Sequence, residues 1–188
     1  MFAPDRADVV TTALALAAGR GDRHALEDFV RATQRDVWRF LAHQCDGQRA
    51  DDLTQETFLR AMQALPSFAG RSSARTWLLS IARRVAIDDL RATLARPQSA
   101  GHEDWVAAAD RVTRPANRHD GLVELEVLLD GLPIERREAL ILTQILGLSY
   151  AEAAEIAGCR VGTIRSRVAR ARDDLAHARR GDEAAGTA

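Results

Sequence analysis

The chain contains no lysine, so all 26 of its positive side chains are arginine. With so many alanines beside them, the arginines look like the product of GC-rich coding. A preference for arginine therefore says nothing by itself about phosphate or base recognition. Cysteine is scarce too. Cys45 and Cys159 stand far apart, without a CxxC pair and without histidine at ligand spacing, which excludes a zinc site or a disulfide framework as the organising device. The 5 histidines, His24, His43, His102, His119 and His177, are scattered, and none lies in a recognisable catalytic motif with serine, cysteine or a carboxylate. Glycine-rich phosphate loops are missing as well. The expectation is a protein without metal, cofactor, small-molecule substrate or catalysed reaction.

Long apolar runs are also lacking. None approaches the ~20 residues that span a bilayer, and Pro4, Asp5 and Asp8 fall where a signal peptide would carry a basic start and an apolar stretch. No membrane span and a cytoplasmic setting are expected. No alternation of apolar and polar residues is long enough for a strand. Apolar residues recur instead at helical spacing from Thr11 to Arg96, and again from Leu122 to about Ala178. Between these stretches, "RPQSAGHEDWVAAADRVTRPANRHDG" holds Pro97, Gly101, Pro115 and Gly121 among mixed charges, with room for one short helix at Trp105 to Val112. A chain of 188 residues, 46% hydrophobic, can bury one sizeable core or two small ones. The pattern predicts an all-α protein: a helical domain over 1–95, a flexible linker over 96–121, a second helical domain over 122–180 and a disordered tail over 181–188.

The sharpest local signal is "SYAEAAEIAGCRVGTIRSRVARARDDL", residues 149–175. Ser149 and Glu152 form a capping box, each side chain able to satisfy an orphan backbone N–H at a helix start. A helix is predicted to start near Ser149 and stop at Gly158, with a second restarting near Val161. At about 100° per residue, Val161, Ile164, Val168, Ala171 and Leu175 share one face of that second helix. The opposite side carries Gly162, Thr163, Ser166 and Arg170, flanked by Arg165 and Arg167. Two short helices on a tight turn, the second showing small polar groups and arginines outward, are the layout of a helix-turn-helix whose outer helix suits a DNA major groove. From Cys159 to Arg180 positive charges exceed negative by five, although the whole chain carries −1. An amphipathic hairpin with a solvated basic face explains the charges, but not the cap, turn and face together.

Three stretches stand out in the first domain. "DDLTQETFLRAM", Asp51 to Met62, sets Asp51, Asp52, Gln55 and Glu56 on its early turns, with Leu53, Phe58, Leu59 and Met62 for apolar contacts. Acidic first turns complement the helix dipole, so a well-capped core helix accounts for the same residues. "PSFAGRSSAR", Pro66 to Arg75, is a loop rich in turn formers and in donors for phosphates or base edges. The helix that follows, from about Ser73 to Ala95, has one apolar stripe of Ala74, Trp77, Leu78, Ile81 and Val85 and a second of Leu79, Ala86 and Leu90. A polar strip of Thr76, Ser80, Arg83, Arg84 and Arg91 runs between them. Two stripes predict a helix wedged between two others, with Trp77 in the core rather than stacked on a base.

In this order, "DDLTQETFLRA", "RSSARTWLLSIARRVAIDDLR", "LPIERREALILTQILGLSYAEAAEIAG" and "VGTIRSRVARARDDL" resemble the extracytoplasmic-function group of the sigma-70 family, promoter-recognition subunits of bacterial RNA polymerase. Within that group they are similar to the mycobacterial sigma factor C type. The resemblance implies a sigma-2 domain followed by a sigma-4 domain. Its partners would be core RNA polymerase, through the β′ coiled coil and the β flap, promoter DNA, and an anti-sigma factor where one exists. Asp51, Asp52, Leu53, Gln55, Glu56, Phe58 and Leu59 match the segment that docks on the β′ coiled coil. The 66–75 loop matches the one that captures a flipped base of the −10 element. Phe68, Arg71, Ser72, Ser73, Arg75, Thr76, Arg83 and Arg84 are the implied −10 contacts. Arg160, Thr163, Arg165, Ser166, Arg167 and Arg170 match the −35 reading helix. The family usually has proline where Arg160 stands, so the entry into that helix departs from its pattern. The sigma-3 domain of housekeeping members is missing, and residues 96–121 would thread along polymerase toward its RNA exit path. A free-standing helix-turn-helix regulator with an N-terminal ligand or partner domain would account for 149–175, but it leaves the 51–91 segments unexplained.

Overall fold

The structure, a computed structural model, describes residues 6–45, 47–95 and 128–185. Every regular element among them is helical. Packing divides the chain into two units that meet in sequence at Arg114 and Pro115. The expected linker, with its short helix at 105–112, lies outside the described residues.

The first unit consists of α1 (Arg6–Gly19), α2 (Arg23–Ala42), α3 (Gly47–Ala64) and α4 (Ala74–Ala95). Gly21, at φ +97°, turns the chain out of α1 in a region open to glycine. Asp22 then caps α2 by accepting from the Ala25 N–H at 3.0 Å. α2 buries Ala25, Phe29, Thr33, Val37, Phe40 and Leu41 along one face. α4 packs on α1, α2 and α3 and buries Ala74, Leu78, Ile81 and Val85 of its first predicted stripe, together with Leu79 and Ala82. Each of the fully buried Phe29, Phe40, Leu41, Leu78 and Leu79 contributes ~1.5–3 kcal/mol relative to exposure.

Expectations fail at several positions in this unit. Thr76, placed by periodicity on a polar strip, is 1% exposed. The Ser73 hydroxyl accepts from its N–H at 3.1 Å and donates to its Oγ1 at 2.9 Å, so its polar groups are satisfied inside the first turn of α4. Leu90, expected on a second packed stripe, is 43% exposed, and Leu94 more so. Near them α4 is reached by the Arg49 side chain, which bonds Asp89 and Thr93 across the start of α3. Leu59 and Met62, expected to make apolar contacts, are 52% and 41% exposed, because α3 turns Ala50, Thr57 and Ala61 inward.

In the second unit, residues 128–130 are helical and lead to α5 (Ile134–Leu140), whose chain continues through a wider turn at Ile141–Ile145. The Leu146 N–H reaches the Ile141 carbonyl at 2.9 Å to close it. α6 (Tyr150–Ala157) and α7 (Val161–Ala185) follow. Leu129, Leu132, Leu140 and Ala171 form a core cluster with Ile145 and Leu175 packed against it. Two polar ties fix α7 to the preceding segment, Arg136 to Asp174 at 2.6 Å and Arg172 to Gln144 at 2.8 Å. α7 continues to Ala185, past the predicted end of the domain. No proline interrupts "RRGDEAA", and one interior glycine costs about 1 kcal/mol, too little to break a long helix.

Candidate nucleic-acid interface

The helix-turn-helix forms as its residues dictate. The Ser149 Oγ accepts from the Glu152 N–H at 3.3 Å, and a Glu152 oxygen accepts from the Ser149 N–H at 2.9 Å, completing the capping box. Gly158 closes α6 at φ +64°. Although the family's proline is absent, the Arg160 carbonyl accepts from Thr163 and Ile164 at 2.9 and 3.3 Å, so α7 begins on regular bonds. Ile164, Val168 and Ala171 are buried and hold α7 to its unit. Val161, expected on that face, is 41% exposed, since burial begins only one turn later, at Ile164. Arg160, Arg165, Ser166 and Arg170 are exposed, and Thr163 and Arg167 are half-buried beside them. The Arg167 guanidinium lies back toward the turn, with Nη1 3.9 Å from Cys159 Sγ. Ser166 and Arg170 therefore face outward from α7, with Thr163, Arg165 and Arg167 flanking them and Arg160 just ahead of the helix.

The predicted −10 residues divide into two groups. Ser73, Arg75 and Thr76 have partners within the fold: Ser73 caps α4, Thr76 is buried, and Arg75 Nε donates to Asp36 Oδ2 on α2 at 2.6 Å with both side chains mostly covered. Phe68 is half-buried, its ring 4.8 Å from that of Trp77 at 39°. Trp77 is thus itself half-buried under the loop rather than sealed in the core. Arg71 and Arg84 are exposed, and Ser72 and Arg83 are half-buried.

On α3 the seven predicted docking residues also split. Asp52, Gln55 and Leu59 are exposed at helical spacing and run on to Met62. Asp51, though exposed, accepts from Trp38 Nε1 at 2.7 Å. Periodicity gave no sign of that partner, which comes from another helix. Glu56 accepts from Arg60 Nε at 2.7 Å, and Arg60 also donates to Asp88 at 2.7 Å. The bonds to Asp88 and Glu56 raise the Arg60 pKa above its ordinary value, and the guanidinium, charged in any case, bridges α3 and α4. Leu53 and Phe58 are half-buried and seat the helix. Among the described residues no group of three or more His, Cys, Asp and Glu is placed to hold a metal ion, and no helix is long and apolar enough to cross a membrane.

Two helical units, the second closing on an arginine-bearing outer helix, define a helix-turn-helix protein with a separate helical N-terminal unit. Residues 8–95 match the family Sigma-70 region 2, and residues 122–175 match Sigma-70, region 4. The chain is 54% identical over 170 residues to the probable RNA polymerase sigma-C factor of Mycobacterium bovis, covering 89% of this chain and 90% of that protein. It is 42% identical over 131 residues to the ECF RNA polymerase sigma factor EcfG of Rhodopseudomonas palustris, covering 69% and 71%. Among solved structures it resembles CnrH in complex with the cytosolic domain of CnrY, with a TM-score of 0.68, 26% identity and coverage of 92% and 99%. It also resembles the sigma factor RpoE in complex with the anti-sigma factor NepR from Bartonella quintana, with a TM-score of 0.63, 27% identity and coverage of 79% and 92%. The chain belongs to the extracytoplasmic-function sigma factors of the sigma-70 family.

Proposed function

We propose that the chain binds core RNA polymerase in the cytoplasm and directs it to promoters, with a separate task for each unit. α3 docks on the β′ coiled coil through Asp52, Gln55, Leu59 and Met62. The loop of residues 66–73, with Arg71, Ser72 and the arginines of α4, takes the −10 element. α7 takes the −35 element through Arg160, Thr163, Arg165, Ser166, Arg167 and Arg170. The chain catalyses no reaction; base capture and phosphate contacts made on the polymerase scaffold drive melting. An anti-sigma factor is the protein partner that would oppose it, by covering α3 or α7.

The observation that carries this reading is the exposed stripe on α3. Leu59 is 52% exposed and Met62 41%, beside the exposed Asp52 and Gln55. Large apolar side chains held in water at helical spacing fit a helical partner surface, such as the coiled coil that this reading assigns to α3. Run-off transcription with core polymerase on genomic DNA tests the proposal. Specific transcripts that need both proteins are expected. Tight promoter binding without polymerase, and no polymerase-dependent transcripts, would favour the free-standing regulator.

A further inference from the structure

We propose that α1 positions the loop of residues 66–73, and that Thr12, Leu16 and Gly19 are positioning residues for the −10 element. This rests on the reading that the loop captures a base of that element. The three residues are spaced by four and three, so they lie on one face of α1. They meet the loop in reverse order, at its entry, its centre and its exit.

Gly19 meets the entry. A Cβ there would stand 2.5 Å from the Leu65 carbonyl oxygen, so only glycine lets α1 approach the turn that opens the loop. Leu16 meets the centre. Gly70 lies at φ +65°, and its missing Cβ would touch Leu16 Cδ1 at 3.5 Å, so the leucine underlies the one left-handed residue of the loop. Thr12 meets the exit: its Oγ1 accepts from the Ala74 N–H at 3.0 Å and donates to the Asp8 carbonyl at 2.7 Å. That hydroxyl has a single proton, and spending it on Asp8 leaves a lone pair aimed at Ala74. Ala74 is fully buried, at the first turn of α4, where its N–H has no intrahelical acceptor. On the far side the Asp36–Arg75 pair ties the same exit to α2. The loop is clamped from behind while Arg71 stays exposed. A pocket that must accept one flipped base needs its supporting shell held in place, and here that shell is α1.

Promoter opening by the full chain with core polymerase tests this, read by the fluorescence of 2-aminopurine in the −10 strand. One template carries the intact −10 element, and the others carry each of its bases replaced in turn. Thr12→Val is expected to lower opening on the intact template about tenfold, the scale of one unsatisfied buried amide. It should hardly change the replaced templates, so discrimination collapses. Thr12→Ser keeps the hydroxyl and should keep discrimination. Affinity for core polymerase should be unchanged in both. If Thr12→Val does not fold, Leu16→Ala, which leaves the Ala74 bond intact, should give the same collapse. Full discrimination by the folded variant, or an equal loss on every template as plain destabilisation produces, would overturn the proposal. If the unmodified chain opens no template with polymerase, the functional reading itself fails, and this inference with it.

Discussion

Trp38 Nε1 donates to Asp51 Oδ1 at 2.7 Å, and this bond separates two adjacent acids that the sequence presents alike. Asp51 is turned back onto α2, while Asp52 faces solvent. Asp52→Arg is therefore expected to abolish co-purification with core polymerase while changing stability by less than about 0.5 kcal/mol. Asp51→Ala is expected to lower stability by about 1 kcal/mol and to weaken polymerase binding less. Thermal unfolding and pull-down measure the two effects. Equal loss of polymerase binding in both variants would show that the division is wrong.

Leu59 offers a second test of the same surface. Its side chain is 52% exposed, so the fold gains little from it. Leu59→Ser is expected to leave the unfolding midpoint in place and to weaken polymerase binding by about 1–2 kcal/mol, as an apolar anchor at an interface does. Glu56 is a poorer probe. Its partner Arg60 also holds Asp88, so a substitution there disturbs the packing of α3 on α4 together with any docking. A normal affinity for polymerase in folded Leu59→Ser would remove the apolar stripe from the docking surface.

Much of this fold is written in local signals. The capping box at Ser149, the left-handed Gly158 and the periodicity of Ile164, Val168 and Ala171 each act within a few residues, and the helix-turn-helix could be read from them. The first unit was legible as far as its helices and less so in its contacts. Thr76 looked like surface because its partner, Ser73, makes a threonine buriable in a way that polarity alone does not reveal. Leu90 was expected on a packed stripe and stands exposed, because periodicity marks an apolar face without saying whether a partner reaches it. Arg75 gave no sign of its ion pair because its acceptor, Asp36, lies 39 residues away in sequence. The support of the 66–73 loop by Thr12, Leu16 and Gly19 had no signal at all, being a long-range fit between backbone and small side chains.

Two glycines in the helix-turn-helix should respond in opposite ways to the same change. Gly158 sits at φ +64° with nothing within 4 Å of where its Cβ would stand, so the cost of a side chain there is purely conformational. Gly158→Ala is expected to destabilise the second unit by about 1–2 kcal/mol. Gly162 has ordinary helical backbone and equally open space. Gly162→Ala is expected to stabilise α7 by about 0.5–1 kcal/mol and yet to weaken −35 binding, because the methyl group is added to the centre of the outward face. Thermal unfolding and titration of −35 duplex separate the two effects. Unchanged DNA affinity in the stabilised Gly162 variant would mean that this face is not the one that enters the groove.

The two arginines farthest along that face differ in freedom, and this predicts different roles. Arg170 is exposed, whereas Arg167 is half-buried with its guanidinium drawn toward Cys159 in the turn. An arginine that reads guanine must present both donors of its fork toward a base edge, and the exposed side chain can do so without giving up a contact. Arg170→Ala is expected to lose ~1–3 kcal/mol of binding and to relax preference at one position of the −35 element. Arg167→Ala should weaken all sequences alike and reduce the salt dependence by about one phosphate contact. Titrations of single-position −35 variants at two or more salt concentrations, with the polymerase holoenzyme, read both quantities. A uniform loss for Arg170 together with a one-position loss for Arg167 would reverse the assignment, and would require Arg167 to leave the turn when DNA binds.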